Sequence, residues 1–253
     1  MRSVVSVELL KMRRSPVVIV ATALMAIFIP LMGAAFIWVA EHGGNGAIGE
    51  KAKALVFGEG WEGYFGIVNQ VAAVAMFLGI GIVVAWDFGR EHVDHTFPSL
   101  FALPVSRQLI AGAKVVVLVG WIAVLAVVVT GLTMVVGLAV TGPFEAAVVG
   151  GAIREAAIVL LTGMLALTMA LVASVGRGYL PAIGAIIGIV AVAQIAVLLG
   201  SGAWLPFAVP GLLAVNGVDG APIPGAAHVL LVPLLAGLAV WATVRWWGQA
   251  EVI

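Results

Sequence analysis

Tyr64-Phe-Gly-Ile-Val-Asn-Gln-Val-Ala-Ala-Val-Ala-Met-Phe-Leu-Gly-Ile-Gly-Ile-Val-Val-Ala-Trp86 carries no charged side chain. At about 1.5 Å rise per residue it is long enough, as a helix, to cross a hydrocarbon layer of roughly 30 Å. Backbone polar groups in lipid must be satisfied internally, so such a segment is a helix or a strand of a closed barrel. A barrel needs short strands that alternate polar and apolar residues, and nothing here alternates. Five further stretches read the same way: Pro16–Ala40, Lys114–Thr141, Glu155–Val175, Tyr179–Gly200 and Ala226–Trp247. The sequence predicts an all-α, polytopic membrane protein with six transmembrane helices.

Composition agrees. Of 253 residues, 63% are hydrophobic and 9% charged, which excludes an ordinary soluble domain. The spans take up most of the chain, leaving no room for a second folded domain, so residues 1–253 form a single transmembrane domain. Net charge is zero, so no nucleic acid or other polyanion is implied. The absence of cysteine excludes disulfides, thiolate metal sites and cysteine nucleophiles. The basic start followed by an apolar run resembles a signal peptide in outline. The run is too long for a signal core, and it reads as a retained first span.

Basic residues set the orientation. Arg2, Lys11, Arg13, Arg14, Arg90, Arg107, Lys114, Arg177 and Arg245 fall on one side, and Lys51, Lys53 and Arg154 on the other. That bias places both termini in the cytoplasm. Acidic residues, Glu145 and Glu155 among them, lean outward. Trp38, Trp61, Tyr64, Trp86, Trp204, Trp246 and Trp247 lie near span ends, as interfacial aromatics do.

Between the spans, residues 1–15 read as an interfacial helix with Val4, Val5, Leu9 and Met12 near one face, or as a plain positive flag. The loop Glu41–Gly63 predicts a short helix around Glu50–Phe57. Residues 87–113 are the most charged internal stretch. Asp87, Glu91 and Asp94 share one side of a helix, Phe97, Leu100 and Phe101 form an apolar face beyond it, and Pro104 stops it. Such a helix either docks on a soluble partner or merely connects two spans. The fourth and fifth spans, joined by Gly176-Arg177-Gly178, are antiparallel neighbours. Gly184 and Gly188 give the fifth a small-residue face for close helix approach. Residues 201–225 are apolar and rich in Pro and Gly, so they predict an outer segment that dips back into the membrane, as a gate or a cap.

The chain has no phosphate-binding Gly-rich loop ending in Gly-Lys-Ser/Thr, so it binds no nucleotide that way. Only His92 and His95 are close together among the histidines, so no metal site is expected. The spans are expected to lack buried charge. Asn69, Gln70, Thr130 and Gln194 are the candidates to line a pathway. Like Thr133, Thr162 and Thr168, they serve equally well as helix–helix hydrogen bonders. A six-span protein without relay charges or chemistry takes its energy from a partner.

Glu91, Thr96, Leu100, Pro104, Ser106, Arg107 and Lys114, in that order straight after the second span, resemble the cytoplasmic loop of the ABC-type-2 permease family. Leu-Phe-Ala-Leu-Pro-Val-Ser-Arg107 is most similar to bacitracin- and lantibiotic-resistance permeases. Glu8-x-x-Lys11 and Arg14-Ser15 resemble the family's elbow helix. Pro98 departs from the pattern: with Thr96 as a cap it would split the loop's helix in two. The resemblance implies the non-catalytic membrane subunit of an ATP-driven exporter in the plasma (inner) membrane. It implies two copies of a separate ATPase holding ATP and Mg, and a second permease copy or related permease. This chain itself holds no cofactor. Asp87, Glu91, Asp94, Thr96, Leu100, Phe101, Pro104 and Arg107 would couple to the ATPase, and Gly184 and Gly188 would lie at the dimer interface. The substrate would be amphipathic: a peptide antibiotic, drug or lipid. A membrane scaffold or sensor, and a secondary transporter or channel, are the alternative readings.

Overall fold

The computed structural model describes residues 2–44, 46–98, 104–215 and 223–249. Among them there is no strand, and six helical segments are long and apolar enough to cross a membrane. They are α2 (Pro16–His42), α4 (Gly60–Val93), α5 (Arg107–Thr141), the pair α6 (Ala147–Ala166) and α7 (Thr168–Val175), α8 (Tyr179–Leu198) and α10 (Ala226–Gln249). The protein is an all-α, multi-pass membrane protein. We call the end bearing α1 (Arg2–Arg14) proximal and the other end distal. The expected helix in the first distal loop is α3 (Ala47–Leu55).

Local chemistry sets the helix ends. Ser15 caps α2, its hydroxyl accepting from the Val18 amide, and Pro16 follows at the first helical position, where its missing N–H costs nothing. The continuous α6–α7 rod breaks at Leu167, whose amide is shared between the carbonyls of Gly163 and Met164. The Gly176-Arg177-Gly178 turn then reverses the chain into α8, with Arg177 in the left-handed region.

α4 is the axis of the bundle. In its most apolar stretch 56% of residues are buried, close to the 61% of the α6–α7 rod and against 11% in α8, which lies at the periphery. It packs on α2, α5, the α6–α7 rod and α8. At the distal end Trp61 is fully buried among Tyr64, Phe65 and Phe144, and its indole N–H donates to the Pro143 carbonyl at 2.8 Å. Gly137 and Gly151 admit these rings, because a Cβ at either would collide with Trp61 or Phe65. Tyr64 donates to the carbonyl of Pro30 in α2. At the proximal end Trp247 is also fully buried, its N–H donating to Ser174 Oγ at 2.9 Å beside Phe88 and Phe97. Trp61, Tyr64 and Trp247 are therefore core anchors and not interfacial aromatics. Each has found an internal partner for its polar atom, which removes the reason to sit at a headgroup.

After α8 come two short 3₁₀ turns, Gly202–Trp204 and Pro206–Ala208, and α9 (Val209–Ala214). Phe207 meets Phe77 edge to face at 5.6 Å, and Phe77 lies midway along α4.

Candidate functional site

At the proximal end the charged residues converge. Lys114, in the second turn of α5, is fully buried. Its ammonium lies 3.1 Å from Glu8 of α1 and 3.3 Å from both Asp87 and Glu91 of α4. It also donates to the Asp87 backbone carbonyl at 3.1 Å. Lys11 bridges Glu8 at 2.8 Å and Glu91 at 3.6 Å, and Arg90 meets Asp87 at 3.6 Å while lying over the Trp86 ring. Three carboxylates thus share Lys114, and one network binds α1, α4 and α5 together.

The stretch after α4 follows from the same contacts. The helix closes with the Thr96 amide on the Glu91 carbonyl and the His95 amide on that of His92, with His95 in the left-handed region (φ 54). This is a Schellman closure with histidine where glycine is usual. The Thr96 hydroxyl also donates to Glu91 Oε2 at 2.8 Å. Phe97 is buried against His92, Trp246 and Trp247. Ser106 caps α5 by accepting from the Leu109 amide, and Arg107 donates to the Gly248 carbonyl in the last turn of α10, a favourable place for a cation.

Two expectations are corrected. Asp87 and Glu91 do share a helix side with Asp94, but that side turns inward to meet Lys114, and only Asp94 is exposed. The helix expected to continue past Glu91 until Pro104 ends instead at Val93, followed by a turn at Asp94–His95 and the opening of a 3₁₀ turn at Phe97–Pro98, where the described residues break off until Pro104. Thr96 closes the helix before it and stands directly before the 3₁₀ turn that holds Pro98. Pro104 lies in an exposed bend. Leu100 and Phe101 lie outside the described residues. Sequence reasoning singled out Glu8, Lys11 and Lys114 but did not pair them. A lone lysine at the start of a long apolar helix was the available signal that acidic partners lie nearby.

A cavity of 320 Å³ opens between α4, α8 and the 207–215 segment. Gln70 and Gln194 are its polar residues, and Ala73, Phe77, Val190 and Phe207 are among its walls. Asn69 and Thr130 are not in it. Asn69 is buried, and Thr130 sits beside the buried Glu155. Thr162 and Thr168 bond only to carbonyls of their own rod. Gly184 and Gly188 face open space: apart from their own stretch of α8, no described atom lies within 4 Å of where a Cβ would stand. A further apolar groove of 720 Å³ runs between α2 and α4, lined by Val20, Leu24, Phe28 and Leu78 among others.

The expectation that the spans lack buried charge is also corrected. Lys114 is one exception, made tolerable by its three acids. Glu155 is another: it lies inside α6, not at its outer edge, and is fully buried, with Thr133 donating to Oε1 at 2.8 Å.

The family model described as ABC-2 family transporter protein matches residues 4–195, which includes α1 from Val4 on, the charge network and the fifth span as far as Ile195. No curated protein matches the chain.

Proposed function

The chain belongs to the ABC-2 family of transporter proteins and is a non-catalytic permease component of an ABC transporter; we propose that it exports an amphipathic substrate by alternating access, driven by a separate ATPase. The observation that carries the substrate class is the cavity between α4, α8 and residues 207–215. Its walls are apolar and its polar residues are two neutral amides, Gln70 and Gln194. Such a lining favours a molecule with an apolar body and a few hydrogen-bonding groups, and offers no charge to select an ion. A peptide antibiotic, drug or lipid fits this description, as does the sequence's likeness to bacitracin-resistance permeases.

In this reading the proximal end lies in the cytoplasm of a plasma-membrane protein, and two ATPase copies bind there. Asp94, His95 and Pro104 are exposed on the connection between α4 and α5 and face the ATPase; Leu100 and Phe101, outside the described residues, are candidates for the same contact on their sequence alone. Asp87, Glu91, Thr96 and Arg107 act behind that surface. They are positioning residues that tie the connection to α1, α5 and α10, so that a push on it moves three helices together. A second permease copy packs on the exposed face of α8 at Gly184 and Gly188, the face opposite the one that lines the cavity.

The test uses the chain co-expressed with its ATPase in inverted vesicles. ATP should drive uptake of a fluorescent amphipathic peptide. Gln70→Leu with Gln194→Leu should change which peptides stimulate ATP hydrolysis while basal hydrolysis stays the same. Uptake without ATP, or a stimulation profile that ignores both glutamines, would overturn the reading.

A further inference from the structure

Glu155 sits in a layer of buried polar groups that the transport reading does not use. It lies eight residues into α6, Thr133 eight residues before the end of α5, and Asn69 nine residues into α4. Each is therefore about 12 Å along its helix from the distal end. Glu155 and Thr133 are completely buried, and Asn69 is 1% exposed. Thr133 donates to Oε1, but Glu155 Oε2 and Asn69 Oδ1 have no partner.

No cation balances this carboxyl. All twelve lysines and arginines and all four histidines are among the described residues, and none pairs with it. Arg154, the residue before it on α6, is exposed and turned away from it by about 100° of helix. From α4 the titratable group bearing on it is the Tyr64 phenol, which is already spent on the Pro30 carbonyl. From α5 come the hydroxyls of Thr130 and Thr133. The described parts of α7, α9 and the 206–208 turn hold no titratable group. α10 holds His228 and Arg245, near its two ends. A bare carboxylate in such a place is among the costliest states a protein can hold, and neutralisation is the usual escape.

We propose that Glu155 is a proton-binding site: in the packed state described here Oε2 carries a proton and Oε1 accepts from Thr133. Separation of α4, α5 and α6 would admit water. The Oε2–H bond then breaks, its electron pair stays on the carboxylate, and the proton leaves as hydronium. Packing of the distal half of the bundle is thereby linked to proton concentration, whether or not the substrate class proposed above is right.

The sign follows from linkage. The packed state holds a proton that a hydrated carboxylate gives up, so stability falls as pH rises. The test uses the full chain in lipid nanodiscs. Infrared difference spectra of wild type against Glu155→Gln should show a protonated-acid carbonyl band near neutral pH that the variant loses. The variant, with a neutral side chain of the same shape, should also lose the downward slope of melting temperature with pH. Thr133→Val keeps the acid and removes only its donor, so it should shift the band to higher frequency, and it carries the test if the Gln variant fails to fold. A carboxylate signature at Glu155 instead of the acid band, a melting temperature that tracks sodium instead of pH, or a band unmoved in Thr133→Val would overturn the proposal.

Discussion

Replacing Lys114 by methionine removes the one cation that Glu8, Asp87 and Glu91 share, while keeping most of the side chain's length. At 3.1–3.3 Å and an effective dielectric constant of about 20, each contact is worth roughly 5 kcal/mol of gross attraction. Most of that is offset by the cost of taking the charges out of water. The cost of truncation is better taken from broken buried pairs, about 3–5 kcal/mol, because the remaining charges are left uncompensated. That corresponds to roughly two to four powers of ten in the folding equilibrium. Lys11 stays within 3.6 Å of Glu91 and moderates the loss. Reversible unfolding in mixed detergent micelles measures it. The sharper reading comes from a second change. Glu91→Gln should destabilise the wild type, where it deprives Lys114 and Thr96 of a charged partner, but stabilise Lys114→Met, where it removes a buried charge left with only the longer contact to Lys11 and relieves its repulsion with Glu8 and Asp87. Opposite signs in the two backgrounds are the expected result. A loss under 0.5 kcal/mol in Lys114→Met, or the same sign for Glu91→Gln in both backgrounds, would refute the shared-lysine account.

Ser106→Ala removes the cap of α5 and should cost about 1 kcal/mol, read as faster hydrogen exchange at the Leu109 amide with α10 unaffected. Gly137→Ala should destabilise by about 1–3 kcal/mol, because its Cβ would press on the buried Trp61 ring; Gly131→Ala, on the same helix with open space around it, should gain about 0.5–1 kcal/mol in unfolding assays. Gly184→Leu with Gly188→Leu should leave the melting temperature of the isolated subunit unchanged and weaken its self-association, seen by light scattering. A cysteine at Ile187 should crosslink to its copy, or to the partner copy's first span at the level of Ala23–Ile27.

The number, order and approximate limits of the spans were legible because hydropathy is a local property. Pro16–Ala40 became Pro16–His42, and Tyr179–Gly200 became Tyr179–Leu198. Helix α4 was harder to end. Asp87, Arg90 and Glu91 look like solvent-facing residues in sequence, yet the helix runs on to Val93, because partners far along the chain take up their charge. Glu8 and Lys114 are 106 positions apart, and no local pattern pairs them. The loop motif from Glu91 to Lys114 was legible as a motif but not as contacts. In the structure Glu91, Thr96, Ser106, Arg107 and Lys114 each bond to a helix end or a neighbouring helix, and no local pattern names those partners. Trp61 and Trp247 were misread for a related reason. A tryptophan near a span end serves an interface or a core equally well in sequence, and only the Pro143 carbonyl and the Ser174 hydroxyl decide between them. Glu155 was placed at a span edge because the apolar run seemed to begin after it. Its burial depends on Thr133, from another helix.

The central claim is that a separate ATPase grips the connection between α4 and α5 and drives this chain through it. The chain has no cysteine, so Asp94→Cys introduces a single exposed thiol on that connection. In the complex purified with its ATPase, this thiol should crosslink to the ATPase through a short bifunctional reagent, with a yield that changes when ATP is replaced by trapped ADP–vanadate. Contradiction would be a thiol that stays fully open to maleimide in an ATP-hydrolysing complex and never crosslinks, or a chain that copurifies with no ATPase at all.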